Sequence, residues 1–151
     1  MFEYTCNLSL WIKHPTADLS RVPQSLGLPV SRIWKAGDPR STPKGTPLEG
    51  SWRNSYCCLT LQEERVASLP ELLRKVLPKL ARHKGVLDEL TSDGATLSLF
   101  VGWFSEEANS RDLIEWDLLA ELANLKIALD LDFYGPENPA RQTAKPEDKE
   151  D

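Results

Sequence analysis

Phe2-Glu3-Tyr4-Thr5-Cys6-Asn7-Leu8-Ser9-Leu10-Trp11-Ile12 alternates without a break: Phe2, Tyr4, Cys6, Leu8, Leu10 and Ile12 fall on one side, Glu3, Thr5, Asn7, Ser9 and Trp11 on the other. Successive side chains of a strand point to opposite faces, so this run is a strand with one apolar and one mostly polar face. The apolar face needs a coat of helices, and the polar face can stay open to water.

The remaining elements supply that coat. Thr16 or Asp18 can cap a short helix reaching about Leu26, where Gly27 is a stop signal and Pro23 limits regularity. Val30 to Lys35 and Trp52 to Leu61 are β-prone. Ser68-Leu69-Pro70-Glu71 has capping-box spacing, and Leu69, Leu72, Leu73, Val76, Leu77 and Leu80 then recur at helical intervals. Pro78 should remove one backbone bond and kink this helix, and Gly85 divides or ends it. Ala95 to Phe104 predicts a fourth strand, Asn109-Ser110 the cap of a helix running to about Leu125, and Ile127 to Tyr134 a fifth strand. The expectation is one α+β domain over residues 1–134, an antiparallel-dominated five-stranded sheet with helices on one face, in ferredoxin-like βαββαβ order plus an extra αβ. Residues 135–151 are too polar and proline-rich to bury a core, which predicts a disordered tail.

Between the second and third strands, Ala36 to Ser51 forms a Pro/Gly-rich connector of about 16 residues, and loops that long without their own structure are usually functional or disordered. Gly37 permits positive φ, and Asp38 before Pro39 suits a turn. Trp34, Asp38, Arg40 and Trp52 bracket the connector, and Trp and Arg are residue types favoured at binding hot spots. The plainer reading of Trp34 is an anchor holding the loop to the core.

The block Ser31-Arg32-Ile33-Trp34-Lys35-Ala36-Gly37-Asp38-Pro39-Arg40, followed by Gly50-Ser51-Trp52, a Leu-rich helix and the terminal Leu129-Asp130-Leu131-Asp132-Phe133-Tyr134, resembles a bacterial family catalogued as domain of unknown function 4279. The resemblance covers roughly residues 2 to 134 and rests on a Trp-x-x-Gly-Asp-Pro turn and a closing Asp-x-Asp-x-Tyr strand. It implies this fold and a bacterial cytosolic setting, and it brings no substrate.

Composition narrows the function classes. No apolar run approaches a membrane span, and Met1 to Cys6 alternates where a secretory leader would be basic and then apolar. Three cysteines, two of them adjacent, do not make a disulfide framework, which favours reduced, buried thiols and a cytoplasmic setting. With only His14 and His83 besides, and no metal-ligand spacing, neither a metal nor a cofactor is expected. Residues 1–84 hold 13 Lys/Arg against 7 Asp/Glu and residues 85–151 hold 5 against 16, an asymmetry that a compact fold interleaves and neutralises. Arg74, Lys75, Lys79, Arg82 and Lys84 lie opposite the Leu face of the long helix, but with a pI near 5.1 and no recognisable motif a nucleic-acid partner is not expected.

A second candidate surface is the open sheet face, with Asn7 from the first strand and Asp130, Asp132 and Tyr134 from the last. Two aspartates at i, i+2 on a strand point the same way with Cα atoms roughly 6.5 Å apart, suited to a cation or to acid/base work. The plainer reading is a solvated polar face. Cys57 or Cys58 with His83 has no local support as a nucleophile, and no catalytic residue is assigned. The expectation is therefore a non-enzymatic module that binds a protein partner through the connector, in an immunity- or inhibitor-like role. The alternative is a small-ligand or metal-binding protein or hydrolase using the open face. Trp11, Trp103 and Trp116, read as exposed, add the expectation of a homodimer.

Overall fold

The computed structural model describes residues 4–136. The chain order is β1 (Tyr4–His14), α1 (Val22–Leu26), β2 (Val30–Trp34), β3 (Pro39–Ser41), β4 (Pro47–Ser51), β5 (Ser55–Val66), α2 (Leu69–Ala81), α3 (Lys84–Ser92), β6 (Thr96–Ser105), α4 (Trp116–Asn124) and β7 (Ile127–Tyr134). Five strands form one sheet in the order β2-β5-β1-β6-β7, and β3 and β4 form a separate two-stranded sheet. The fold class is α+β.

The alternation of β1 becomes a strict burial pattern. Tyr4, Cys6, Leu8, Leu10 and Ile12 are buried, and the odd positions between them are half-buried. Pairing carries this parity across the sheet: Leu97, Leu99, Val101 and Trp103 of β6 lie opposite Ile12, Leu10, Leu8 and Cys6. These residues join Leu72, Leu73, Val76, Leu77 and Leu80 of α2, Leu87 of α3, and Leu118 and Leu122 of α4 in one core. Each fully buried leucine contributes about 1.5–3 kcal/mol of burial, so the helix-coated face carries the fold.

The sheet is mixed rather than antiparallel-dominated. Ladders β2–β5, β5–β1 and β1–β6 are antiparallel, while β7 runs parallel to β6 with Leu97 opposite Ile127 and Phe104 opposite Tyr134. The cause is α4, which returns the chain to the end of the sheet where β6 began, as a crossover connection must.

Three further expectations are corrected. Ala36 to Ser51 is not structureless, because Pro39–Ser41 and Pro47–Ser51 pair as a hairpin. The last helix begins at Trp116, not near Ser110. Ser110, read as its cap, is engaged elsewhere: Trp103 Nε1–H donates to Ser110 Oγ at 2.8 Å, and in the same segment the Tyr4 hydroxyl donates to Asp112 Oδ2 at 2.5 Å. Trp103, expected to be exposed, is 5% exposed and stacks on Tyr4 with ring centroids 3.7 Å apart; Trp116 is 78% exposed and Trp11 is half-buried. The predicted tail beyond residue 136 and the start of the first strand at Phe2 lie outside the described residues.

The long helix starts at the expected Ser68 cap, with Ser68 Oγ accepting the Glu71 N–H at 3.4 Å. It continues through Pro78 to Ala81 and breaks at Arg82–His83, just before Gly85. His14 closes the far end of β1: its Nδ1 accepts the N–H groups of Thr16 (3.0 Å) and Ala17 (2.8 Å), which places the ring proton on Nε2 facing the Asp93 backbone oxygen at 2.8 Å.

The Tyr4 hydroxyl also accepts the Leu69 N–H at 2.7 Å, satisfying the head of α2. Tyr4→Phe should therefore destabilise the protein by about 1–3 kcal/mol, the cost of a buried donor left without an acceptor, read as a shift in the urea midpoint. Burial pushes the thiols of Cys6 and Cys57 from 9.0 up to about 11 and about 12, and burial together with the bond to Asp112 raises the Tyr4 phenol. These groups hold their protons longer when folded, so their contribution is complete below the unfolded pKa values and is lost as pH rises through the folded ones. Urea unfolding at increasing pH should show stability falling above pH 9.0, with a shallower fall in Cys57→Ala.

Candidate functional site

The parity that buries one sheet face leaves the other to the odd positions of β1 and their partners. Trp11 projects there, as do Arg32 and Trp34 of β2, Tyr56 of β5, Phe100 of β6, and Asp130, Asp132 and Tyr134 of β7, by the pairing registers. The β3–β4 hairpin stands beside this face and converts part of it into a cleft of about 440 Å³.

Local chemistry holds the hairpin in place. Gly37 adopts φ 91°, a conformation glycine takes without steric cost. Asp38 Oδ2 accepts the Lys35 N–H at 3.1 Å, and the base of the hairpin closes through Trp52 N–H to the Asp38 oxygen (2.9 Å) and Gly37 N–H to the Trp52 oxygen (2.8 Å). At the tip, Thr42 N–H donates to the Thr46 oxygen at 2.8 Å, with Gly45 at φ 86°. Arg32 reaches across from β2 to donate to the Ser41 oxygen at 2.7 Å, and Arg40 donates to the Glu49 oxygen at 3.2 Å.

Aromatic rings bind these pieces into one wall. Trp34 stacks on Trp52 with centroids 3.7 Å apart and on Tyr56 at 4.4 Å. The Arg32 guanidinium lies 4.7 Å from the Trp34 ring centre and 5.6 Å from that of Trp52, and the Arg40 guanidinium lies 5.4 Å from Trp52. Trp11 and Phe100 stack in parallel at 4.2 Å on the floor. The opposite wall is β7, where Tyr134 donates to Asp132 at 2.7 Å; that bond, with partial burial and the neighbouring carboxylate charge, raises the Tyr134 phenol. Tyr134 is itself stacked on Phe104, centroids 4.8 Å apart.

The two surfaces expected from the sequence thus meet in one place. Trp34, Arg40 and Trp52 of the connector and Asp130, Asp132 and Tyr134 of the last strand all line the same cleft. Asp38 does not line it; its side chain and backbone build the turn beneath the hairpin. Asn7 faces the open side but lies over Gly102, where an added Cβ would come within 2.4 Å of its Oδ1. Sequence reasoning missed Arg32, Tyr56 and Phe100 as lining residues. Their signal was parity within each strand, readable once the register is known.

Among the described residues no group of three or more His, Cys, Asp and Glu is arranged to hold a metal ion. Cys57 lies on the helix-coated face opposite Ile12, and Cys6, Cys57 and Cys58 are all free and buried. No described helix is long and apolar enough to cross a membrane.

This geometry belongs to an α+β domain with an aromatic cleft on its open sheet face. The family described as domain of unknown function (DUF4279) matches residues 3–136, and the chain belongs to it. No curated protein and no solved structure matches the chain.

Replacing Trp52 by Ala removes the ring that stacks on Trp34 and lies beneath both guanidiniums. The amide protons of Gly37 and Thr42 should then exchange faster, by an amount corresponding to about 1 kcal/mol for a lost aromatic pair, while the amides of β1 keep their protection. Hydrogen exchange read residue by residue checks both.

Proposed function

We propose that this chain is a non-enzymatic binding module that seats a segment of a protein partner in the cleft between the hairpin and β7. The observation that carries this reading is the concentration of Trp11, Trp34, Trp52, Tyr56, Arg32 and Arg40 at one concave place on a rigid sheet. Tryptophan, tyrosine and arginine dominate the energetics of protein interfaces because they bury large area at modest cost in conformational entropy. An immunity- or inhibitor-like role is the form this reading takes, and Asp38 contributes by holding the turn on which Trp52 and Arg40 are mounted. The three buried free thiols support a cytoplasmic setting. The neighbour relations β6-β1-β5-β2, with β7 appended, support a ferredoxin-like description of the four-strand core.

The cleft volume favours a second reading. About 440 Å³ lies within the roughly 300–1,000 Å³ of small-molecule sites, so a small organic ligand fits the same aromatic floor, with Asp130, Asp132 and Tyr134 as its polar contacts.

Selection from a displayed random peptide library separates the two. The protein is expected to enrich a sequence motif that Trp34→Ala does not, with both folds verified by near-ultraviolet dichroism. Loss of all enrichment, together with a thermal shift on addition of small metabolites, would favour the second reading; equal enrichment by both proteins would refute the cleft as the seat.

A further inference from the structure

The cleft has two ends of opposite charge. On the β2 and hairpin side stand the guanidiniums of Arg32 and Arg40, and on the β7 side stand the carboxylates of Asp130 and Asp132. The parallel pair Trp11 and Phe100 lies on the floor. A guanidinium carries five N–H donors, and the bond to the Ser41 oxygen uses one of those on Arg32. Asp132 accepts the Tyr134 hydroxyl through one oxygen, and a carboxylate has acceptor sites on both. Asp130 is exposed.

From these charges we propose that the occupant is an extended polypeptide segment laid across the strands, with an acidic side chain toward Arg32 and Arg40, a basic one toward Asp130 and Asp132, and an aromatic residue between them over Trp11 and Phe100. The proposal rests on the reading of the cleft as the seat of a protein partner and names the chemistry of that partner. Length agrees with it: β2 and β7 are four strand spacings apart, about 19 Å at roughly 4.8 Å each, and five extended residues reach about 16 Å before their side chains are counted. Charge argues for mixed polarity. A segment that is basic at both ends is repelled by the arginine wall, and one that is acidic at both ends is repelled by the aspartate wall.

The test uses four pentapeptides, blocked at both termini, with the common core glycine-phenylalanine-glycine. Their ends are glutamate and lysine, glutamate and glutamate, lysine and lysine, or glutamine and glutamine. Affinity is read from intrinsic tryptophan fluorescence at low salt. The glutamate/lysine peptide is expected to bind about tenfold more tightly than the other three, and the advantage should shrink in 0.5 M salt to about threefold as screening predicts. In Asp130→Lys, an exposed position where the change leaves the core untouched, β7 presents one charge of each sign and the glutamate/lysine peptide should lose its advantage over the doubly acidic one. Equal affinities that still depend on Trp34 would overturn the charge pattern and leave the seat intact. An unchanged ranking in Asp130→Lys would also overturn it. No binding of any of the four at millimolar concentration would overturn both this proposal and the reading beneath it.

Discussion

Everything in this fold depends on the two-faced character of β1. It is the central strand, flanked by β5 and β6 in antiparallel ladders, so its parity is imposed on β6 and, through β6, on β7, and on β5 from Ser55 to Thr60, up to the register shifts at Leu8. A one-residue slip in any of these ladders would send Leu10 or Leu99 into water and an odd-position side chain into the core. With Leu8, Leu10, Ile12, Leu97, Leu99 and Val101 buried together, such a slip costs several kcal/mol on burial alone. The same constraint aligns Trp11, Tyr56, Phe100 and Asp130 on the other side. The core is the reason the candidate site has a floor.

Much of this was legible in the sequence because it is written locally. The period of two in β1 and the period of 3.6 in α2 survive in the structure, as does the Ser68 cap. What was not legible depends on distant partners or on very short elements. Pro39, Pro43 and Pro47 read as loop punctuation, and strands as short as Pro39–Ser41 carry too few residues to show alternation. Ser110 looks like a capping residue until Trp103, 7 residues away in sequence, claims its hydroxyl, and Tyr4 reaches Asp112 from 108 residues away. The direction of β7 follows from the path of α4 around the sheet, which no local pattern encodes.

The site shows the same division. Trp34, Arg40 and Trp52 stood out by residue type in a long connector, and Asp130, Asp132 and Tyr134 by their spacing on a strand. Their union did not, because β2 and β7 are the two opposite edges of the sheet and spacing along the chain carries no information about which edges a hairpin will bridge. Arg32 was visible only as a charge beside Trp34. In the fold it is a brace, bonded to Ser41 and lying over two tryptophan rings.

That brace decides what kind of cleft this is. A free 16-residue loop would have to be ordered by its ligand, at a cost of about 0.5–1.5 kcal/mol for each immobilised side chain and more for the backbone. Here the ordering is done in advance: the hairpin ladder, the Asp38 turn, the Trp34–Trp52 stack and the arginine contacts hold the wall before anything binds. The aromatic faces used in that wall are in part consumed by one another, which lowers the area left for a partner, yet the remaining rings on the floor, Trp11 and Phe100, stay half-buried beside fixed charges of both signs. A preformed, bipolar, aromatic cleft gains selectivity from what it repels as well as from what it attracts, and that places the discriminating chemistry on its two ends.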